Sequence, residues 1–465
     1  MEPRTLSYIA EACAGQVVQG DPARCVRRVW SDSRTAGEGD LFVAIPGERF
    51  DGHQFLGEVL QRGVAAVLVS RGRWEAAALP AGAHVIEVGE MRRALGGLAA
   101  RYRLDFDIAS VAVAGSNGKT TTKELIGSVL RQRMGTVWSE ASFNNDIGVP
   151  FTLLRLECGH RAGVFELGTN HPGELAPLID MVKPRIGVLT SIGREHLEFF
   201  GDMAGVAAEE GTLAEKLPRD GVLILNGDSE WTPVIERRAG CRVVRVGAGE
   251  ASQWRAQGVE VSAGGTRFQV VAAPAGFEGE YRIGLLGRHQ VGNALLAAAV
   301  GHELGLTPEE VRRGLAECRP AKSRLALSEI GGVLLLDDSY NANADSMIAA
   351  LRTLRDLPCG AGGCRIAVLG DMAELGADTA AAHEEVGRVA GELGLGWLVA
   401  VGAQGPATLR AARAAGLAEG HACASSEEAV QLVRARVRPG DIVLVKASRA
   451  AGLNRVSDAL KSLST

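Results

Sequence analysis

A glycine-rich turn followed by lysine and threonine has the residue types needed to bind an oligophosphate. Residues 108–114 form an apolar, strand-like segment, and residues 121–131 have the character of a helix. The turn and the first helical residues are Gly115, Ser116, Asn117, Gly118, Lys119, Thr120 and Thr121. The N–H groups of such a turn surround phosphate oxygens at a helix N-terminus, the lysine reaches the terminal phosphates, and the threonine hydroxyl binds Mg²⁺. Val113 replaces the first glycine of the general motif, but the context predicts an ATP-binding loop.

A carboxylate near the end of another apolar strand is the second candidate for chemistry. Glu166 lies in the segment 163–167, and burial of a carboxylate is costly unless it is paired or bound to a metal. One carboxylate, the Thr120 hydroxyl, phosphate oxygens and water would complete a typical Mg²⁺ shell. The residues alone leave open a second interpretation, in which Glu166 only caps a helix.

Three single residues allow both a chemical and a structural interpretation. His196 follows the apolar strand 186–190 and could bind a metal or carry a proton, although a lone histidine is more often structural. Asn293 opens a predicted helix and could contact a base or cap that helix. Arg324 stands at the start of the last third of the chain, where its guanidinium could reach a transferring phosphate from a neighbouring domain.

Dense polar clusters follow three apolar strands of the C-terminal third. They are the segments 337–343, 370–376 and 446–449. Ligands of parallel sheets collect at the carboxyl ends of the strands. The clusters are therefore predicted to lie at the ligand-binding edge of a sheet.

Strand-like and helix-like segments alternate along the chain, which predicts an α/β protein with mostly parallel sheets. The predicted strands cover residues 40–45, 64–70, 84–88, 108–114, 163–167, 186–190, 222–225, 333–336, 366–369, 397–401 and 442–445. The predicted helices cover residues 121–131, 293–304, 345–357, 379–393 and 427–436. At 465 residues the chain is too long for one core, and we expect three domains at residues 1–105, 106–319 and 320–465.

Composition excludes several classes of protein. The 50 Lys and Arg residues nearly balance the 55 Asp and Glu residues, and no basic run appears, so we expect no nucleic-acid partner. No signal-peptide pattern or membrane-length apolar stretch is present, which predicts a cytoplasmic protein without membrane insertion. The 8 cysteines are scattered without a metal-binding spacing and are expected to be free buried thiols.

Together these motifs resemble the Mur ligases of peptidoglycan assembly over nearly the whole chain. Residues 31–34, 39–44 and 47–53 are similar to the UDP-sugar-binding domain, and residues 145–150, 166–170 and 196–198 to the central ATPase domain. The run 338–343, with Ser346 and Met347 after it, resembles the members that add D-alanyl-D-alanine. The resemblance implies an N-terminal UDP-substrate-binding domain, a central P-loop domain and a C-terminal Rossmann-like domain.

The resemblance also implies a reaction and its participants. ATP would phosphorylate the carboxylate of UDP-N-acetylmuramoyl-tripeptide, and the amine of D-alanyl-D-alanine would attack the acyl phosphate. Lys119 would contact the β- and γ-phosphates, Thr120 and Glu166 one Mg²⁺, and His196 a second Mg²⁺. Asn293 would contact the adenine, with Arg324 and Asp338 reaching the nucleotide from the C-terminal domain. The expected substrate-binding residues are Ser33, Arg34, Arg49, Asp51, His53, Asn145, Tyr340, Asn341, Asn343, Asp371 and Lys446. A monomer is expected.

One position departs from the family pattern. Many Mur ligases carry a lysine about a dozen residues after the histidine, and its carbamylated form binds Mg²⁺. Here the segment 205–212 contains no lysine, and Glu210 stands at that position. We hypothesise that Glu210 supplies the carboxylate directly, so that activity does not depend on bicarbonate. The alternative is that Glu209 and Glu210 are solvated helix residues.

Two other functions remain open at this level. The chain could be another ligase of the superfamily, such as the one that adds the third amino acid of the peptide. It could also be a nucleotide-binding paralogue without catalysis, although Lys119, Thr120, Glu166 and His196 are all present.

Overall fold

The computed structural model describes residues 1–47 and 50–462. Three large sheets follow one another along the chain, and helices cover each of them. This is the predicted α/β architecture. Arg49, one of the expected substrate contacts, lies outside the described residues.

The first sheet has five strands in the order β2-β7-β6-β5-β4, and only its edge strand β2 is antiparallel to its neighbour. The strands are β1 (Arg4–Thr5), β2 (Gln16–Gln19), β3 (Cys25–Val26), β4 (Arg28–Trp30), β5 (Asp40–Val43), β6 (Ala66–Ser70) and β7 (Val85–Val88). The helices are α1 (Leu6–Ala12), α2 (Leu56–Gln61) and α3 (Met91–Arg103). Strands β1 and β3 form a separate antiparallel pair.

The second sheet has six strands, all parallel, in the order β13-β12-β11-β8-β10-β9. The strands of this part of the chain are β8 (Ala109–Ala114), β9 (Thr136–Trp138), β10 (Ala162–Glu166), β11 (Ile186–Leu189), β12 (Val222–Asn226), β13 (Arg242–Val246), β14 (Arg255–Ser262), β15 (Gly265–Ala272) and β16 (Gly279–Ile283). The helices are α4 (Lys119–Leu130), α5 (Gly148–Leu153), α6 (Leu175–Val182), α7 (Leu197–Phe200), α8 (Met203–Glu210), α9 (Thr212–Lys216), α10 (Thr232–Glu236), α11 (Gln290–Glu303) and α12 (Pro308–Glu317). Strands β14, β15 and β16 form an antiparallel sheet that the sequence analysis did not anticipate.

The third sheet also has six strands, in the order β17-β18-β22-β19-β20-β21, and only β17 is antiparallel. The strands are β17 (Ala326–Ile330), β18 (Val333–Asp338), β19 (Arg365–Gly370), β20 (Trp397–Val401), β21 (Gly420–Cys423) and β22 (Ile442–Lys446). The helices are α13 (Ala344–Asp356), α14 (Thr379–Glu392), α15 (Gly405–Ala414), α16 (Ser426–Arg436) and α17 (Asn454–Lys461).

The apolar core is continuous between the first two sheets. One cluster joins Leu6 of α1 and Leu98 of α3 to Ala112 of β8 and Leu178 of α6. The third sheet is packed by two clusters, one on each face, and one of them also includes Leu286 of the second part. The first two parts of the chain are therefore held together by apolar burial, whereas the contacts of the third part with the phosphate-binding loop are polar.

Two expectations concerned the cysteines and membrane-spanning segments. All eight cysteines are free, as predicted, but only Cys13, Cys318 and Cys423 are buried, so the expectation of buried thiols was wrong for the other five. Across residues 1–47 and 50–462, no helix has both the length and the apolar character needed to cross a membrane.

Gly314 lets α12 lie directly on α4. A Cβ atom at this position would stand 2.5 Å from the Cα atom of Val129 and 2.8 Å from the carbonyl oxygen of Ser128. The Ser128 hydroxyl also donates a hydrogen bond of 2.6 Å to the carbonyl of Gly314. A side chain there would push α12 away from α4, the helix that follows the phosphate-binding loop.

We expect Gly314→Ala to destabilise the protein by about 1–3 kcal/mol, as overpacking does, despite the higher helix propensity of alanine. Gly57 of α2 is the matched control, because a Cβ atom there would meet nothing within 4 Å. Thermal unfolding of both variants checks this. A melting temperature of Gly314→Ala equal to that of Gly57→Ala would contradict the packing argument.

Candidate active site

The phosphate-binding loop lies between the end of β8 and the first turn of α4, and its shape requires glycine at two positions. Gly115 has φ 114° and Gly118 has φ 86°, a left-handed region that other residues rarely adopt. A Cβ atom on Gly115 would stand 2.5 Å from Oγ1 of Thr190, and one on Gly118 would stand 2.7 Å from Oδ1 of Asn293. Asn293 therefore lies against the loop.

Lys119 is held inside the loop by backbone and carboxylate oxygens. Its Nζ donates hydrogen bonds of 2.5 Å to the carbonyl of Gly115 and 3.3 Å to that of Ser116, and it lies 3.3 Å from Oε2 of Glu195. Burial lowers the pKa of Lys119, but the carboxylates of Glu195, Glu210 and Glu166 outweigh it and raise the pKa overall. Lys119 is therefore a charged ammonium.

Thr120 and Glu166 meet at the start of α4. The Thr120 hydroxyl donates a hydrogen bond of 3.1 Å to Oε1 of Glu166, and Nδ2 of Asn144 donates another of 2.9 Å to the same oxygen. Glu166 is 1% exposed, and its Oε2 has no hydrogen-bond partner within the described part of the chain, with Nζ of Lys123 4.0 Å away. Its chemistry is therefore that of a buried carboxylate with one free oxygen.

Glu210 ends α8 and faces the loop, whereas Glu209 does not. Oε2 of Glu210 accepts a hydrogen bond of 2.7 Å from the N–H of Gly115, and the residue is 1% exposed. Glu209 is also buried, and its carboxylate accepts hydrogen bonds from the N–H groups of Gly173 and Leu175, both 2.8 Å. Neither residue is solvated, so that alternative was wrong.

Burial also determines the protonation of Glu210. Burial raises the pKa of its carboxyl to about 8, Lys119 opposes this, and Glu195 adds to it. A carboxylate in such surroundings is stabilised by any cation placed beside it.

Two residues at this site were not singled out from the sequence. Glu195, which is 7% exposed, pairs with Lys119 from the segment after β11. Asn144 contacts Glu166, whereas the expected Asn145 uses its Oδ1 to accept the N–H groups of Ile147 and Gly148 at the start of α5. The signal for Glu195 was available, since it is an acidic residue a few positions past a buried strand and beside His196.

Arg324 reaches the loop from the third sheet. Its Nη2 lies 3.4 Å from Oγ1 of Thr120, and its guanidinium stacks over the ring of Tyr340 with 4.1 Å to the centroid. The flanking residues Ser323 and Leu325 have φ 55° and 49°, an uncommon conformation for residues with side chains. A strained segment therefore presents this arginine to the loop.

A buried ion pair supports the polar run after β18. Nζ of Lys446 lies 2.6 Å from Oδ2 of Asp338 and donates a hydrogen bond of 2.9 Å to the carbonyl of Asn341. Oδ1 of Asp338 accepts the N–H of Leu325 at 3.0 Å. The Asp338 carboxylate therefore positions the segment that carries Arg324.

The beginning of α13 also touches the phosphate-binding loop. Nδ2 of Asn343 donates a hydrogen bond of 3.0 Å to Oδ1 of Asn117, while its Oδ1 caps the helix by accepting the N–H of Ser346. His196, with φ 49°, contacts Glu374 of the third part through Nδ1. Asn343 and His196 thus lie at the seam between the second and third parts of the chain.

The remaining expected site residues make structural contacts of their own. Asp371 accepts the N–H groups of Ala403 and Gln404 at the start of α15. His53 donates from Nδ1 to Asp51 and accepts the N–H of Ser70 at Nε2, so both of its ring nitrogens have partners. The others lie as follows: the Ser33 carbonyl accepts from Arg62, the exposed Arg34 pairs with Asp32, and Thr121 is half-buried in α4.

Comparison with known proteins assigns all three parts of the chain. Residues 26–103 match the family model described as "Mur ligase family, catalytic domain". Residues 113–301 match the "Mur ligase middle domain", and residues 323–449 match the "Mur ligase, glutamate ligase domain". The UDP-N-acetylmuramoyl-tripeptide–D-alanyl-D-alanine ligase of Escherichia coli (strain K12) is 36% identical over 471 residues, which cover 99% of each chain. The ligase of the same name from Bacillus subtilis (strain 168) is 32% identical and covers 98% of each.

Solved structures agree with this assignment. MurF from Acinetobacter baumannii superposes with a TM-score of 0.87 at 31% identity and covers 99% of both chains. The MurF ligase from Thermotoga maritima in complex with ADP has a TM-score of 0.79 at 26% identity, covering 94% of this chain and 97% of that one. The chain belongs to the Mur ligase family, and the predicted α/β fold of that family is confirmed. It is an ATP-dependent ligase.

Arg194 makes the strongest polar contact across the seam. Its backbone N–H and its Nη2 donate hydrogen bonds of 2.9 Å and 2.6 Å to the carboxylate of Asp345 in α13, and its Nη1 contacts Glu385 in α14. Burial lowers the pKa of Arg194, but the carboxylates of Glu385 and Asp345 stabilise the charged guanidinium and raise the pKa overall. This side chain ties the loop after β11 to two helices of the third part.

We expect Arg194→Ala to weaken the contact between the second and third parts by about 1–3 kcal/mol, the range for charge-assisted hydrogen bonds. Small-angle X-ray scattering should then give a larger radius of gyration for the variant than for the unsubstituted chain. Arg185→Ala is the matched control, because Arg185 forms an exposed pair with Asp220 within one domain. Unchanged scattering from Arg194→Ala would show that other contacts hold the seam.

Proposed function

We propose that this chain joins D-alanyl-D-alanine to UDP-N-acetylmuramoyl-tripeptide with the cleavage of ATP to ADP and phosphate, a step of peptidoglycan precursor synthesis. One observation carries the proposal. A phosphate-binding loop is approached from the third sheet by Arg324 and by the polar run after β18, in a chain that aligns over its full length with curated ligases of that activity.

The chemistry explains why residues of this kind are needed. A carboxylate is a poor electrophile, so its oxygen first attacks the γ-phosphorus of ATP, and ADP leaves. The amine of D-alanyl-D-alanine then attacks the carbonyl carbon of the acyl phosphate, the C–O bond breaks, and phosphate departs as the amine loses a proton. In the first step two anions must be aligned, so catalysis consists mainly of positioning and charge neutralisation.

Two positive groups meet the phosphates from different domains. Lys119 lies within the loop, and Arg324 approaches it from the other side of Thr120. The planar guanidinium of Arg324 is held against Tyr340 and suits a transferring phosphoryl group. Because these groups lie on separate sheets, closure of the third part on the second would complete the site.

The donor atoms of the site fit Mg²⁺. Apart from the ring nitrogen of His196 they are oxygens, the ligands that Mg²⁺ prefers, and Oε2 of Glu166 and Oε1 of Glu210 lack hydrogen-bond partners within the described residues. No group of three His, Cys, Asp or Glu side chains is preassembled in those residues, so phosphate oxygens and water would complete each shell. Thr120 and Glu166 would hold one ion, and His196 and Glu210 a second. Bound Mg²⁺ would neutralise the phosphate charge.

The acceptor pocket is proposed around the polar run after β18. Tyr340, Asn341 and Asn343 lie on this run, and Lys446 fixes its backbone through the carbonyl of Asn341. Asp371 contributes indirectly, since its carboxylate holds the turn before α15. The UDP moiety is proposed to bind the first sheet near Ser33, Arg34, Asp51 and His53. All proposed site residues come from one chain, so the reaction needs no second subunit.

The function is tested by measuring phosphate release with ATP, Mg²⁺, UDP-N-acetylmuramoyl-tripeptide and D-alanyl-D-alanine, and by omitting each in turn. We expect release only when all are present, with a UDP-pentapeptide as the product in mass spectrometry. Lys119→Met should lower the rate at least 100-fold, because it removes the ammonium at the phosphates.

The other outcomes identify the alternatives. Release with a single amino acid in place of the dipeptide would indicate the ligase that adds the third residue. A chain that binds ADP but releases no phosphate under any condition would be a paralogue without catalysis.

A second prediction concerns Glu210. Because a carboxylate is encoded at the position where other family members modify a lysine, we expect the rate in CO₂-depleted buffer to equal that with added bicarbonate. Glu210→Ala should lose at least tenfold in rate at saturating Mg²⁺. Glu215→Ala is the control, since Glu215 is an exposed carboxylate of the following helix, paired with Arg238. Wild-type activity of Glu210→Ala, or a strong bicarbonate requirement, would overturn the assignment.

A further inference from the structure

Glu195 is a buried carboxylate beside the phosphate-binding loop without an assigned role. One oxygen, Oε2, faces Nζ of Lys119 at 3.3 Å. The other, Oε1, is buried and has no hydrogen-bond partner among residues 1–47 and 50–462. An unsatisfied buried carboxylate oxygen is costly, so a ligand or a proton is expected at this point.

Glu210 presents the same unsatisfied group next to it. Its Oε2 is occupied by the N–H of Gly115, and its Oε1 has no partner in the described residues. Both acidic side chains lie at Gly115, since Glu195 pairs with Lys119, and Nζ of Lys119 donates a hydrogen bond of 2.5 Å to the carbonyl of Gly115. Two neighbouring carboxylates with unsatisfied oxygens are stabilised by a cation beside them.

The charge of the loop favours the cation. One ammonium, Lys119, faces the three acidic side chains of Glu195, Glu210 and Glu166. ADP and ATP are themselves polyanions, and their binding here would bring like charges together in a buried place. Divalent cations bound by these side chains remove this repulsion.

We propose that Glu195 is a ligand of a divalent cation, which it shares with Glu210 beside the phosphate-binding loop. The proposal rests on the proposed function, because the cation serves the phosphates of the bound nucleotide. Glu195 then joins His196 and Glu210 at the second cation, and Glu166 with Thr120 holds the first. Glu195 also holds Lys119 through its second oxygen, so one side chain positions both positive charges.

The test counts Mn²⁺ bound to the full chain in the presence of saturating ADP, by electron paramagnetic resonance. We expect two Mn²⁺ per chain for the unsubstituted protein. Glu195→Gln keeps the size of the side chain but removes its charge, and it should weaken the second Mn²⁺ at least tenfold. Glu195→Asp keeps the carboxylate and should retain part of the affinity. Glu215→Gln, an exposed change of equal charge, should bind two Mn²⁺ normally.

The outcomes separate this proposal from the proposed function. A Glu195→Gln variant that binds two Mn²⁺ with unchanged affinity overturns it, as does an unsubstituted chain that binds one. Thermal unfolding of each variant shows whether it is folded during the measurement. The Mn²⁺ count does not depend on the peptide substrates, so absence of ligase activity would reject the proposed function and leave this test standing.

Discussion

The placement of one ammonium, that of Lys119, among three buried acidic side chains is the constraint on which the rest of this site depends. Each carboxylate is fixed by a different element: Glu166 by the end of β10, Glu195 by the segment after β11, and Glu210 by the end of α8. None can turn to solvent, and unit charges 4 Å apart still interact by about 4 kcal/mol at an effective dielectric constant of 20. Under the proposed function, the cations that accompany the nucleotide would offset this concentration of negative charge.

The packing of the chain divides it into a fixed part and a movable part. The first and second sheets share one apolar core, and separating them would expose buried aliphatic surface at about 25 cal/mol per Å². The third sheet meets the phosphate-binding loop through Arg194, Asn343 and Arg324, which water can replace as partners. Apart from Leu286 and Val261, which pack against the third sheet, the contacts at this loop are polar, so nucleotide and peptide can enter where these polar contacts lie.

The sequence predicts most of the parallel strands because each is a short apolar run followed by a turn, and it predicts the loop because its glycines and lysine are adjacent. The sequence does not predict the antiparallel strands β14 to β16, because Arg255–Ser262 alternates exposed polar residues with few apolar ones. The contact of Glu195 with Lys119 was not predicted, because the two residues are 76 positions apart and only the order of the strands brings them together. Some helix ends differ from the predicted ones because backbone geometry determines them. The sequence predicts a helix from residue 121, but α4 begins at Lys119 because Gly118 supplies the left-handed turn before it.

The strand order of the third sheet has a consequence for how the protein is made. Strand β22 is the last strand in the chain, yet it lies between β18 and β19 at the centre of the sheet and carries Lys446, the partner of Asp338. While the ribosome is still adding residues before Ile442, the earlier strands have no central partner, and Asp338 has no ammonium to face. The first two sheets can fold as they emerge, but the acceptor side of the active site closes only at the end of synthesis.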